Sequence, residues 1–212
     1  MLTVHHLGIS QSDRIAWLCE ELDIPYSLIR YERDPQTRLA PAEYRELHPI
    51  GTAPIISDGD LVMGESGAII EYVIHRHGGG RLAVAPSDTA YPDYLFWFHF
   101  ANGSLMPAAM IGVVSGMIAG GQSDVMASLS ARLDRAWSMI EHRLGEVPYL
   151  AGAEFTAADI ITTFPLTTMR LFAPRDISAY PNIKRYLKKI GERPAFRRAM
   201  AKADPGFNVP MD

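Results

Sequence analysis

The spacing of apolar residues predicts alternating strands and helices at the start of the chain. Residues 2–6 and 26–31 have the short apolar or alternating pattern of β-strands. Between them, apolar residues recur at intervals of three and four from Ile15 to Leu22, which places them on one face of a helix. Residues 41–47 begin with proline and predict a second, short helix. The chain therefore begins strand, helix, strand, helix.

Residues 47–66 contain the most informative pattern. The apolar pair after Pro54 predicts a strand that begins at this proline. Proline has no N–H, and at the first position of a strand this costs no hydrogen bond of the sheet. Asp58-Gly59 separates two apolar runs, which is typical of a tight hairpin. Ser66 then precedes an apolar pattern with helical spacing. The predicted order for this part of the chain is βαβαββα.

The rest of the chain has the spacing of helices only. A long apolar and aromatic segment from Tyr91 predicts a helix that is interrupted near Pro107. Thr156 and Asp159 have the spacing of a capping box, with aspartate in place of the usual Glu or Gln. Strand patterns are not repeated in this part of the sequence, which favours a helical bundle.

These patterns predict an α+β fold class with two domains. Residues 1–78 are expected to form the small βαβαββα domain, residues 79–88 a linker with glycine and proline, and residues 89–212 an all-α helical bundle. A chain of 212 residues is long enough to bury a core in each part.

Composition narrows the classes of function. Hydrophobic residues make up 48% and charged residues 21% of the chain, which is typical of globular proteins. The net charge of −4 gives no reason to expect nucleic acid or an anionic membrane as a partner. Cys19 is the single cysteine, which fits a reducing compartment. With no secretory or membrane-spanning pattern, the expected location is cytoplasmic, and no metal site is predicted.

A helix that begins beside a proline-containing turn can bind a small carboxylate through its first backbone amides. Ala53 and Pro54 supply the turn, and Glu65 and Ser66 stand at the predicted helix start. The simpler interpretation of Glu65 and Ser66 is an acidic residue and a cap. The sequence thus indicates a pocket for a peptide-like anion, with structural capping as the alternative.

The order and spacing of these motifs resemble the cytosolic glutathione transferase superfamily over nearly the whole chain. The matching segments are residues 14–26, 48–54, 64–66 and 155–159. The resemblance implies a thioredoxin-like N-terminal domain, a helical C-terminal domain and a cytoplasmic homodimer with a role in detoxification. It also implies glutathione as co-substrate, no permanently bound cofactor and a cis bond between Ala53 and Pro54.

The resemblance assigns roles to five residues toward glutathione. Ser66 would bind the γ-glutamyl carboxylate, Glu65 the ammonium group, and the backbone of Ala53 beside Pro54 the cysteinyl segment. The glycine carboxylate would be bound by Arg38 and His48. Arg38 has the alternative of a solvated loop residue, and His48 that of a residue which ends the second helix.

The thiol of glutathione needs a hydrogen-bond donor near the first helix. We predict Ser10 as this residue, with Gln11 and Ser12 as alternatives, because the position that holds serine in many relatives is taken here by Ile9. Ser10 and Ser12 have the alternative role of helix caps. His5 occupies the region where some classes carry a catalytic tyrosine, although a strand histidine is more often packed in the core.

An apolar second substrate is expected to contact the aromatic helix at Phe98, Asn102 and Met106, whose side chains could instead belong to the core or a dimer interface. The predicted reaction is conjugation of the glutathione thiolate to a small hydrophobic electrophile. Two alternatives remain on the same scaffold: a glutathione-dependent peroxidase or disulfide reductase, and a non-catalytic binding protein.

Overall fold

The protein divides into two compact units. The structure is a computed structural model that describes residues 1–117 and 124–212. The units consist of residues 1–83 with 192–209, and of residues 84–191 with 210–212. The sequence analysis assigned all of 89–212 to the helical part, so the structure differs from that division at the last helix.

The first unit contains a four-stranded mixed sheet with strand order β2-β1-β3-β4. Strand β1 pairs in parallel with β2 and antiparallel with β3, and β3 pairs antiparallel with β4 across the predicted hairpin. The strands are β1 (Leu2–Leu7), β2 (Ser27–Tyr31), β3 (Ile55–Asp58) and β4 (Leu61–Gly64). This arrangement confirms the thioredoxin-like order βαβαββα.

The helices of the first unit cover this sheet with apolar faces. They are α1 (Asp13–Leu22), α2 (Ala42–Arg45), α3 (Ser66–Arg76) and the last helix of the chain, α9 (Pro194–Ala203). The predicted apolar face of α1 is fully buried. The rings of Trp17 on α1 and Phe196 on α9 meet edge to face at 5.0 Å. The sequence analysis did not identify α1 as the packing partner of α9.

The second unit is helical. Its helices are α4 (Tyr91–Phe100), α5 (Met106–Met117), α6 (Asp124–Glu146), α7 (Ala157–Leu166) and α8 (Pro181–Gly191). A π-helical turn, Ala101–Leu105, separates α4 from α5. The turn ends two residues before Pro107, which has no N–H for the helical ladder. Within the two described ranges, no helix is both long and apolar enough to cross a membrane.

The capping box of α7 is formed and buried. The Thr156 hydroxyl oxygen accepts from the Ala158 N–H at 3.3 Å, and Asp159 Oδ2 accepts from the Thr156 N–H at 2.9 Å. Asp159 Oδ1 also accepts from the Leu150 N–H at 3.0 Å and from the Tyr186 hydroxyl at 3.1 Å. Burial raises the pKa of Asp159 to about 6, and these donors oppose that rise. Asp159 therefore ties three segments of the helical unit together.

We predict that Asp159→Ala lowers the free energy of unfolding by about 2 to 4 kcal/mol, because it removes a cap and leaves two buried N–H groups without an acceptor. Urea unfolding at neutral pH measures this loss. Asp159→Asn, which keeps one carbonyl oxygen, should lose less. Asp176→Ala removes an exposed local cap and serves as the control, with an expected change below about 1 kcal/mol. An Asp159→Ala protein as stable as the wild type would contradict the prediction.

Candidate functional site

The register of the hairpin brings two of the predicted motifs side by side. Ile55 of β3 pairs with Gly64 of β4. The Ala53-Pro54 bond, which is cis as the resemblance implied, directly precedes Ile55, and Glu65 directly follows Gly64. Because antiparallel partners lie about 5 Å apart, the proline turn and the start of α3 are neighbours.

Ser66 is the first residue of α3 and is 1% exposed. Its hydroxyl has no hydrogen-bond partner within the described chain, and it does not cap the helix. Buried hydroxyls are nearly always bonded, so one without a partner at a helix N-terminus needs a physical reason. The first N–H groups of a helix and a buried hydroxyl together form a site for an anion.

Glu65 precedes the helix with a left-handed backbone, φ 69°, and an exposed side chain. The left-handed region is uncommon for residues other than glycine, asparagine and aspartate. Backbone conformations of this kind cluster at binding sites. The Glu65 carboxylate is thus placed in solvent beside the anion site at Ser66, where it suits a cationic group.

Gln11 links the first loop of the protein to the proline turn. Its side-chain amide Nε2 donates to the Ala53 carbonyl at 3.2 Å. The loop before α1, the Ala53-Pro54 turn and the start of α3 therefore form one continuous surface of the first unit. Sequence analysis considered Gln11 only as a substitute thiol donor and did not find this contact.

Ser10 is folded into its own turn. It is 5% exposed, and its hydroxyl donates to the Leu7 carbonyl at 2.6 Å. Its oxygen lies 2.7 Å from the hydroxyl oxygen of Ser12. Because Ser10 has a single hydroxyl proton and directs it at Leu7, this geometry does not offer Ser10 as a direct donor to a thiol. Ser12 holds the N-cap position of α1 but makes no capping bond through its side chain.

Ile9 lies where the resemblance would have a serine, and its backbone is left-handed with φ 49°. A β-branched residue is strongly disfavoured in this region. The Ile9 N–H donates to both carboxylate oxygens of Asp204, at 3.1 and 3.2 Å. The backbone N–H groups of Ser10 and Gln11, which follow, have no acceptor among the described residues.

His5 belongs to the core of the sheet. Its Nδ1 lies 3.0 Å from the Tyr31 hydroxyl and its Nε2 lies 3.1 Å from the Ser57 hydroxyl. Burial lowers the pKa of His5, which favours the neutral imidazole. With both ring nitrogens bonded, His5 is the packed strand histidine of the alternative interpretation.

His48 lies at the edge of the site, whereas Arg38 is an exposed loop residue. Nδ1 of His48 accepts from the Ile50 N–H at 3.1 Å and would lie 3.4 Å from a Cβ at Gly64. His48 therefore stands beside the end of β4, with Nε2 as its donor. Arg38 has a left-handed backbone, φ 62°, and its carbonyl accepts from the guanidinium of Arg33 at 3.0 Å.

The three residues predicted for the second substrate have different surroundings. Phe98 is buried beside Tyr94, Asn102 lies half-buried in the π-helical turn, and Met106 packs on an apolar cluster at the start of α5. A cavity of about 370 Å³ is present in the second unit, and these three residues do not line it. Its lining is mostly apolar and consists of Ala109, Gly112, Val113, Leu133, Trp137, Pro165, Met169, Arg170, Phe172, Ala173, Pro174 and Arg175.

Sequence analysis missed two residues that support the first loop, Arg33 and Asp204. Nε of Arg33 donates to the Gly8 carbonyl at 3.0 Å. Asp204 follows α9 and reaches Ile9 across 195 positions of sequence. No local pattern marks an aspartate after a helix as a partner of so distant a loop.

Asp13 adds a buried carboxyl at the start of α1. Burial raises the pKa of Asp13 to about 7, although the charges of Arg14 and His6 act in the opposite direction. An unfolded aspartate titrates near pH 4. The folded protein therefore holds this proton over a range of pH in which the unfolded chain has lost it.

Comparison with known proteins shows one family throughout the chain. Residues 5–81 match the family described as glutathione S-transferase, N-terminal domain, and residues 105–194 match glutathione S-transferase, C-terminal domain. A curated relative, glutathione S-transferase 3 of Schizosaccharomyces pombe, is 31% identical over 96% of this chain and 88% of its own.

Solved structures agree with this match. A glutathione S-transferase from Actinobacillus pleuropneumoniae has a TM-score of 0.89 and 33% identity, over 97% of this chain and 95% of that one. A family member from Pseudomonas fluorescens, crystallised with two glutathione molecules, shares the fold with a TM-score of 0.77 and 22% identity, over 94% and 92% of the two chains.

We predict that Asp13→Asn flattens the pH dependence of stability. The contribution of Asp13 is fully present below about pH 4 and is lost as pH rises through about 7, because its folded pKa is raised. From pH 5 to pH 8 the wild type should therefore lose roughly 2 to 3 kcal/mol of unfolding free energy relative to Asp13→Asn. Urea unfolding of both proteins across this range tests it. Parallel pH profiles would show that Asp13 is ionised throughout.

Proposed function

Because this chain belongs to the cytosolic glutathione S-transferase superfamily, we propose that the pocket at the start of α3 binds the γ-glutamyl end of glutathione. The protein is a glutathione transferase. The observation that carries the proposal is the Ser66 hydroxyl, which is buried at a helix N-terminus and has no partner among residues 1–117 and 124–212. A carboxylate can accept hydrogen bonds both from this hydroxyl and from the first amides of α3.

The other groups of glutathione match the residues around Ser66. The Glu65 carboxylate pairs with the γ-glutamyl ammonium group. The backbone of Ala53 in the proline turn pairs with the cysteinyl segment, as an added strand would. Nε2 of His48 donates to the glycine carboxylate, and the exposed side chain of Arg38 adds a positive charge on that side.

Catalysis requires ionisation of the glutathione thiol. A free thiol has a pKa of about 8.5, so about 3% is thiolate at neutral pH. Lowering that pKa by two units gives roughly three quarters thiolate and requires about 2.7 kcal/mol of stabilisation. The N-terminus of α1 and the available N–H groups of Ser10 and Gln11 supply donors for it. The Ser10 hydroxyl contributes indirectly, because its hydrogen bond to the Leu7 carbonyl fixes the conformation of the loop.

The proposed reaction is attack of the thiolate on a small hydrophobic electrophile. The thiol proton passes to solvent, the sulfur forms a bond to the electrophilic carbon, and the leaving group departs with its bonding electrons. The apolar cavity beside Trp137 and Met169 suits a hydrophobic molecule of modest size. By family resemblance we also propose a cytoplasmic homodimer that serves detoxification, and the exposed Leu95 and Phe96 of α4 are apolar surface that a partner would cover.

We predict that Ser66→Ala weakens glutathione binding ten- to a hundredfold, because a hydrogen bond to a charged group is lost. Its thermal stability should stay close to that of the wild type, since the hydroxyl has no hydrogen-bond partner in the described part of the chain. Isothermal titration calorimetry measures the affinity. Thr162→Val is the matched control, because it removes another buried hydroxyl without a partner, on α7, and should leave glutathione affinity unchanged.

Two results would contradict this assignment. Equal affinity of the wild type and Ser66→Ala for glutathione would show that the γ-glutamyl carboxylate does not bind at Ser66. No binding by the wild type at millimolar glutathione would favour the non-catalytic binding protein.

We further predict conjugation as the main activity over disulfide reduction. Burial raises the pKa of Cys19 to about 12, and the thiol lies in the core of α1, so the protein has no reactive thiol of its own. Parallel assays with a chlorinated nitroaromatic and with a mixed glutathione disulfide separate the two activities. Turnover of the disulfide without turnover of the nitroaromatic would favour a reductase that uses two glutathione molecules.

A further inference from the structure

A buried chain of hydrogen bonds joins the end of α9 to the loop before α1. Asp204 Oδ2 lies 3.1 Å from His6 Nε2, and His6 Nδ1 lies 2.9 Å from the Ser12 hydroxyl oxygen. That oxygen lies 2.7 Å from the Ser10 hydroxyl oxygen, and the Ser10 hydroxyl donates to the Leu7 carbonyl at 2.6 Å. We call these five residues the Asp204 chain. Each of their side chains that takes part is at most 5% exposed.

The number of protons in the Asp204 chain fixes the direction of its bonds. Ser10 gives its one proton to Leu7, so Ser12 must donate to Ser10. The proton of Ser12 is then used, and Nδ1 of His6 must donate to Ser12. Nε2 of His6 faces Oδ2 of the Asp204 carboxylate at 3.1 Å, which completes the chain.

Asp204 also holds the backbone of the loop directly. Both of its carboxylate oxygens accept from the N–H of Ile9, the β-branched residue with a left-handed backbone. Such a backbone is strained and persists when its surroundings fix it. A second support comes from Gly8, where a Cβ would lie 3.0 Å from Nη2 of Arg30 and 3.6 Å from Asp204. Glycine here admits both charged groups close to the loop.

The groups around Asp204 keep its carboxylate ionised. Burial raises its pKa, but the hydrogen bond and charge of His6, the Ile9 N–H and the charge of Arg30 outweigh burial and lower it. Asp13 and Arg33 are the other ionisable side chains that interact with it, the first by repulsion and the second by attraction. Asp204 is therefore a fixed anion behind the loop.

We propose that Asp204 is a positioning residue for thiol activation. By anchoring Ile9 and the Asp204 chain, it keeps the backbone N–H groups of Ser10 and Gln11 in the single arrangement that stabilises the glutathione thiolate. This inference rests on the proposed function, because it assigns those two donors to the sulfur. Asp204 touches neither substrate, so it acts through the loop.

The direction in which the pKa of the bound thiol changes when Asp204 is replaced distinguishes positioning of the loop from a direct electrostatic effect. A nearby negative charge disfavours a thiolate, so removal of the Asp204 charge by itself would lower the pKa of the bound thiol. Loss of the anchor has the opposite result, since a loop with several conformations stabilises the thiolate less. Asp204→Asn keeps the shape of the side chain, removes its charge and replaces one acceptor oxygen by an NH2 group that would face the Ile9 N–H or the His6 ring. It therefore weakens the anchor and removes the charge together, and shows which effect is larger.

The test measures the pKa of bound glutathione by thiolate absorbance in Asp204→Asn. We expect this pKa to rise by about one unit, with kcat/KM at pH 6.5 reduced about tenfold. Affinity for S-methylglutathione, which has no thiol to ionise, should change less than about threefold. Asp58→Asn is the control, since Asp58 pairs with His77 at 2.7 Å at the far end of the hairpin, and it should leave the thiol pKa unchanged.

An unchanged or lowered thiol pKa in Asp204→Asn would overturn the proposal. The proposal would also be overturned if Asp204→Asn lost affinity for S-methylglutathione and kcat/KM by the same factor, because that result indicates general damage to the pocket. If Asp204→Asn does not fold, Ser12→Ala is tested in its place. This variant interrupts the Asp204 chain but retains the bonds from Asp204 to Ile9. A rise in the thiol pKa of less than one unit supports the proposal, and no rise contradicts it. Failure of the wild type to bind glutathione would instead refute the proposed function.

Discussion

The antiparallel pairing of β3 with β4 is the constraint on which the site depends. Because Ile55 faces Gly64, the proline turn before one strand and the start of α3 after the other are held together. A shift by one residue would turn every side chain of β4 to the opposite face of the sheet and would move Ser66 away from the turn. The position of the buried hydroxyl thus follows from a hairpin that Asp58-Gly59 specifies locally.

The N-termini of α1 and α3 both lie at the candidate site of the first unit, and they differ in the hydrogen-bond donors that they offer. At α3, the Ser66 hydroxyl has no hydrogen-bond partner among the described residues, and the proposed γ-glutamyl carboxylate would supply one. At α1, the hydroxyls of Ser10 and Ser12 are bonded to Leu7, to each other and to His6, so the proposed donors to the ligand are backbone N–H groups. A carboxylate suits the first and a thiolate the second, and both are parts of one tripeptide.

Local patterns were sufficient to predict the order of strands and helices, since hairpins, caps and amphipathic faces depend on neighbouring residues. They also indicated Ser66 and Ala53-Pro54 as candidate site residues, because these residues lie within one short segment. Contacts over long sequence distances were not visible. The bond from Asp204 to Ile9, the packing of α9 on α1 and the inward direction of the Ser10 hydroxyl depend on the folded chain.

A crystal structure of the protein with bound glutathione tests the central claim most directly. The account predicts that the γ-glutamyl carboxylate lies about 3 Å from the Ser66 hydroxyl oxygen and from the first N–H groups of α3. The sulfur should lie at the loop before α1. A tripeptide bound with that carboxylate away from α3, and with the Ser66 hydroxyl still without a partner, would contradict it.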